Sequence, residues 1–211
     1  MQIDDGEIQR IVKKVVGQVM GLEKPAAAPS APQPAPANAS GSSTAPKPET
    51  LPKPAPPPSG KKVVAIGADH GGYDMKELLK PEVTGMGYEV VDVGTTNSKD
   101  SVDYPDFALE VALLVSGGKA WRGILIDGAG IGSCIAANKV PGVRAGMAYD
   151  YTTAVNGREH NDANVLTLGA GLIGPALAKQ IVKTWLSTEF GGGRHAKRVD
   201  KIIAIEKKYL K

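Results

Sequence analysis

A single cysteine, Cys134, leaves the chain without an internal disulfide or a cysteine-built zinc cluster, which suits a reducing compartment. Aromatic residues make up only 5% of the sequence, and the formal net charge of +3 is small and dispersed. With few stacking platforms and no concentrated basic face, nucleic acid is not the expected partner. No apolar run reaches the roughly 18 residues of a membrane span, and the acidic start leads into no signal-peptide core. The expectation is a soluble, cytoplasmic protein that engages neither nucleic acid nor membrane.

With 211 residues, 42% of them hydrophobic, the chain can bury one ordinary core, but not along its whole length. Near the front, Ile8, Ile11, Val12, Val15 and Val19 recur at helical spacing, with Asp4 and Asp5 before them and Gly21 and Pro25 after. This predicts an amphipathic helix within residues 1–24. From Pro25 to Gly60 the chain is Pro, Ala and Ser with almost no large apolar residue, and twelve of its 16 prolines fall there. Such a segment cannot bury enough surface to offset its ordering entropy, so residues 25–60 read as a disordered linker. A helix held on a long tether has an unpaired apolar face, which implies a covering surface, and the acids favour a protein over a membrane.

After Lys61 strands alternate with helices. The strands are Val63–Ile66, Tyr88–Val93, a central one ending in Ile124-Leu125-Ile126-Asp127, Val143–Met147 and Val165–Gly169. Five such strands without hairpin signals predict a parallel sheet covered by helices on both faces, with the ligand site at the carboxyl ends of the strands. The polar residues fall there. Asp69 and His70 follow the first strand, Asp127 and its glycines follow the third, and Arg158-Glu159-His160-Asn161-Asp162 precedes the fifth.

The stretch Asp127-Gly128-Ala129-Gly130-Ile131-Gly132-Ser133 turns from strand into helix, bringing backbone N–H groups close to a ligand with an acid facing it. It is not a dinucleotide fingerprint, since Ser133 stands where the third glycine belongs, although Asp150 lies at about the right distance for a ribose reader. It is not a P-loop, because no Gly-Lys-Ser/Thr closes it. The three histidines, His70, His160 and His195, sit in polar, loop-like contexts that suit acid–base or phosphate duty. Arg194 and Arg198 are four apart and share a helix face that could clamp a phosphate.

Taken together, Asp69-His70-Gly71-Gly72, Asp103-Tyr104-Pro105, Gly128-x-Gly130-x-Gly132, Ala136-Ala137-Asn138-Lys139, Gly142-Val143-Arg144, His160-Asn161-Asp162-x-Asn164-Val165 and Gly192-Gly193-Arg194-His195-x-x-Arg198 resemble the ribose-5-phosphate isomerase B and galactose-6-phosphate isomerase family over residues 61–208. The resemblance implies a Rossmann-like, flavodoxin-like α/β fold for residues 61–211, an obligate dimer or dimer of dimers with sites shared between subunits, and aldose–ketose isomerisation without metal or other cofactor. Carried over by position, His160 opens the furanose ring and Asn161 holds a sugar hydroxyl. His70, Arg194 and Arg198 bind phosphate, and Asp69 and Tyr104 position the sugar. The N–H groups of Gly128, Ala129, Gly130, Ile131 and Gly132 steady the enediolate.

Asp127 stands where many members carry the cysteine that moves the proton between C1 and C2, and it is the candidate base, its pKa raised by an apolar, water-poor site. Other departures are Ala129 for a hydroxyl residue, Ser133 where some members use a glutamate, and Gly171 where an arginine often binds phosphate. Residues 1–60 resemble the encapsulation peptides of bacterial microcompartment cargo, which implies a shell protein as partner and the compartment lumen as location. The reading is interconversion of ribose 5-phosphate and ribulose 5-phosphate. The alternatives are another C4 or C6 phosphosugar, or a non-catalytic sugar-phosphate-binding cargo.

Overall fold

The computed structural model describes residues 62–210 together with Gly6 and Gly60. Apart from those two glycines, the helix expected in 1–24 and the linker expected in 25–60 lie outside the described residues. The domain runs β1 (Val63–Ala68), α1 (Tyr73–Gly85), β2 (Glu89–Asp92), α2 (Tyr104–Ser116), β3 (Arg122–Asp127), α3 (Ile131–Ala137), β4 (Ala145–Met147), α4 (Tyr151–Glu159), β5 (Val165–Gly169), α5 (Pro175–Ser187) and α6 (Arg194–Tyr209).

All strand pairs are parallel, in the order β2-β1-β3-β5-β4. This is the expected five-stranded doubly wound class, except that β5 and β4 exchange places relative to the flavodoxin order. The second and fourth strands are shorter than expected: Tyr88 lies just outside β2 and stacks on Trp121, and Arg144 lies just outside β4 and pairs with Asp162. Alternation along the buried strands explains the layers. Val64, Ile66, Ile124, Ile126, Leu166 and Leu168 face α1 and α5, whereas Val63, Ala65, Leu125 and Val165 face α2 and α3. The chain leaves β1 toward β2 on one side and returns to β3 on the other, so the loops after β1 and β3 open a crevice at the strands' carboxyl ends.

Two polar side chains brace this frame. Asp150 caps α4, its Oδ1 accepting from Thr153 N at 2.7 Å while Thr153 Oγ1 accepts from Asp150 N at 3.1 Å. Asp150 therefore stabilises a helix terminus and reads no ribose. Arg122 opens β3 at only 2% exposure, with its guanidinium over Trp121 and near Trp185. It donates to the carbonyls of Trp185, Leu186 and Thr188 at 2.8, 2.9 and 3.2 Å, tying the unsatisfied end of α5 to the central strand. An Arg122→Met variant removes three charge-assisted donors, leaving Leu186 O only the Tyr88 hydroxyl and Thr188 O only Arg158 Nε, both at 3.3 Å, and should lose about 2 kcal/mol of stability. The expected readout is a lower urea midpoint with an unchanged denaturant slope.

Candidate active site

The crevice gathers one group of the expected residues. Asp69 directly follows β1 and is buried, its Oδ1 accepting from Gly72 N at 2.9 Å. Gly72 lies against β3: a Cβ there would meet the Ile126 carbonyl oxygen at 2.2 Å, so only glycine lets the β1 loop approach so closely. His70 Nδ1 accepts from Val102 N at 3.3 Å, which places the neutral ring's proton on Nε2. Tyr104 opens α2 and lays its ring over Gly132, where a Cβ would sit 2.4 Å from it. Gly130 has φ +77, a left-handed turn that lets α3 begin against the backbone of Leu168 and Gly169.

Asp127 organises this group. It ends β3 at 5% exposure, and its carboxylate accepts from Ala129 N at 2.8 Å, from Gly130 N, from Ser133 N at 3.0 Å and from Ser133 Oγ at 2.5 Å. Burial pushes its pKa up, but these four donors together outweigh burial and hold the pKa below the ordinary carboxylate value. The expected upward shift is thus corrected. The site is desolvated but not apolar, because the chain folds its own donors onto the acid.

A second correction follows for the loop. The N–H groups of Ala129 and Gly130 are spent on Asp127, and among the described residues those of Gly128, Ile131 and Gly132 donate to no acceptor. Cys134 turns away from the crevice toward the Ala145 carbonyl, 3.5 Å from its Sγ. Gly171 closes on the same loop, its N donating to Gly128 O at 3.0 Å.

The remaining residues form a second group at the end of α4 and the start of α6. His160 and His195 stack with centroids 4.1 Å apart and planes 5° from parallel. His195 is 9% exposed, and burial, His160, Arg194 and Arg198 lower its pKa against the opposing pull of Glu159. Arg194 Nε donates to His195 Nε2 at 3.4 Å, and Arg198 lies one turn further along α6. Among the described residues no carboxylate lies within ion-pair distance of either arginine. Asn161 Nδ2 donates to the carbonyl and to the Oδ1 of Asn156, both at 3.0 Å.

Sequence reasoning did not single out what holds this turn in place. Asp162 adopts φ 46 and bridges Arg144 and Arg158 at 2.8 and 2.9 Å. Arg158 also donates to Ala163 O at 2.6 Å. The i,i+4 spacing of Arg158 and Asp162 is the available signal. No hydrogen bond, ion pair or ring contact joins the two groups among the described residues.

A sequence model of the family described as Ribose/Galactose Isomerase matches residues 64–202. The chain belongs to this family. The ribose/galactose isomerase domain is 45% identical over 147 residues to the ribose-5-phosphate isomerase B of Escherichia coli (strain K12), covering 70% of this chain and 98% of that protein. It is 43% identical over 139 residues to the D-erythrulose-4-phosphate isomerase of Pectobacterium atrosepticum, covering 66% and 91%. The ribose-5-phosphate isomerase B structure from Clostridium thermocellum superposes with a TM-score of 0.68 at 54% identity, covering 70% of this chain and 99% of that one. As a ribose/galactose isomerase the protein is an intramolecular oxidoreductase acting on a sugar phosphate.

The lowered pKa of Asp127 has a consequence for stability. Its ionised form is favoured in the folded state, so the contribution is full above the ordinary carboxylate pKa and is lost as pH falls through the lower folded value. In Asp127→Asn the acid-side loss of stability should be shallower, because an amide cannot titrate. Urea midpoints measured between neutral and strongly acid pH for both proteins provide the check.

Proposed function

We propose that this isomerase interconverts ribose 5-phosphate and ribulose 5-phosphate through an enediolate, without metal or other cofactor. The observation that carries the reading is the division of labour between the groups: a carboxylate under a glycine loop at one pole, and His160 and Asn161 beside two unneutralised arginines at the other. Arg194, Arg198 and His70 hold the phosphate. His160 gives a proton to the furanose ring oxygen, while Asn161, Asp69 and Tyr104 hold the hydroxyls. The free N–H groups of Gly128, Ile131 and Gly132 face the oxygens that become negative in the enediolate.

Asp127 carries the proton between C2 and C1. Its clamp keeps it ionised and therefore ready at neutral pH, but weak as a base. Ser133 Oγ is the one side-chain donor in the clamp and turns away first as the sugar enters. Asp127→Asn should lower kcat by about 10²- to 10⁴-fold. Ser133→Ala should move the acid limb of kcat/KM to higher pH, because it removes a donor that stabilises the carboxylate. An acid limb unchanged in Ser133→Ala would take Asp127 out of the base role.

Because no hydrogen bond, ion pair or ring contact among the described residues joins the two groups, we propose a homodimer in which each site takes one group from each copy. A groove of about 720 Å³ between β4, α4 and α6, bordered by the exposed Ile202, Ile205 and Tyr209, supports a second copy as its occupant. The relative that acts on D-erythrulose 4-phosphate favours a C4 phosphosugar as the second substrate reading.

For the front of the chain we propose that residues 1–24 dock on a microcompartment shell protein. The support is the Ile8, Ile11, Val12, Val15 and Val19 stripe ahead of a proline-rich stretch. An inert reporter carrying residues 1–24 should enter the particle fraction when co-expressed with shell proteins and be released by charge at Ile11 and Val15. Binding to lipid vesicles without any shell protein would favour a membrane instead.

A further inference from the structure

One residue of the second group has no part in the activity described so far. Asn156 sits on the exposed side of α4, one turn before His160. Its Nδ2 lies 2.8 Å from His160 Nδ1, a contact whose direction depends on which way the amide faces. The surrounding bonds fix that direction. Asn161 Nδ2 contacts the Asn156 main-chain carbonyl at 3.0 Å, and a carbonyl can only accept, so the Asn161 atom is its nitrogen. The same nitrogen lies 3.0 Å from the Asn156 side-chain amide, so the atom it meets there is the acceptor Oδ1. The other amide atom, the NH2, therefore faces His160 and donates to Nδ1.

We infer that Asn156 is a positioning residue that fixes His160 as its Nε2–H tautomer. With the Nδ1 lone pair occupied by a donor, the ring proton sits on Nε2. The stack on His195 holds the ring plane. The other charged groups around the ring are Glu159, whose Oε1 is 3.8 Å from Nε2, and Arg194 and Arg198 beyond His195. The inference rests on the reading of His160 as the group that protonates the ring oxygen, because it supplies the N–H that this step uses. A neutral imidazole holds its Nε2–H against the ring oxygen; as the C1–O bond breaks that oxygen takes the proton, and the anomeric hydroxyl returns one to the imidazole through solvent, so His160 ends the step neutral. Through Asn161 the same amide also sets the neighbouring sugar-binding side chain.

The test is long-range ¹H–¹⁵N correlation on the full chain labelled at histidine, with the His160 signals assigned by loss in His160→Gln and read where they report a singly protonated ring. Wild type should show His160 protonated at Nε2. Asn156→Asp replaces the donor with an acceptor and should move the proton to Nδ1, and Asn156→Leu should give a tautomer mixture. Unshifted signals of His70, which lies in the other group, report that the fold is intact. A wild-type proton on Nδ1, or the same tautomer in all three proteins, overturns the inference.

Activity separates this from the ring-opening reading. Ribose 5-phosphate enters as a ring, whereas ribulose 5-phosphate is always open. Asn156→Asp should therefore lose roughly tenfold or more in kcat on ribose 5-phosphate, with a smaller change in KM, while solvent-deuterium exchange into ribulose 5-phosphate stays near wild type. If the proton moves but ribose 5-phosphate turnover does not fall, His160 is not the ring opener, and the tautomer assignment stands.

Discussion

The structure depends on one buried carboxylate. Asp127 ends the central strand in the middle of the sheet, and its two oxygens gather the N–H groups of Ala129, Gly130 and Ser133 and the Ser133 hydroxyl. That cluster of bonds sets the left-handed turn at Gly130 and the start of α3. It aims the remaining loop N–H groups outward and draws Gly132 under the Tyr104 ring. A charge that desolvation alone would neutralise stays ionised because the chain satisfies it from its own backbone. The same bonds that shape the loop hold this carboxylate in its ionised form.

Much of this was legible in the sequence. Strands buried on both faces read as near-continuous apolar runs, and β1, β3 and β5 do. The placement of the candidate residues was legible as well, because a parallel sheet delivers its post-strand loops to one edge, and Asp69, His70, Asp127 and the glycine loop all follow strands. Three things were not. Strand order depends on which edge each crossover reaches, so the exchange of β4 and β5 leaves no periodic trace. The pKa of Asp127 depends on where N–H groups two, three and six residues away point, which composition cannot supply. His195 looked like a loop residue because its neighbours are glycine, arginine and lysine, yet it is buried against His160 by ring stacking that only the fold creates.

The second group shows how a short turn can be held for chemistry. Asp162 sits in a left-handed conformation that a residue with a side chain adopts at a cost, offset by two arginines gripping its carboxylate. His160 and Asn161 precede it and are thereby presented at the end of α4. Arg194 and Arg198 enter from α6 with no acidic partner among the described residues, which leaves their charge available to an anion.

The central claim is that the two groups meet across two copies of the chain, and mixing tests it most directly. Asp127→Asn and His160→Ala, each strongly impaired on ribose 5-phosphate alone, are unfolded together, refolded as an equimolar mixture and assayed on that substrate. Half of the dimers are then mixed, and each of these carries one site with both groups intact, so activity should return to about a quarter of wild type. A mixture no more active than the sum of its two components would contradict the claim and return the whole site to a single chain.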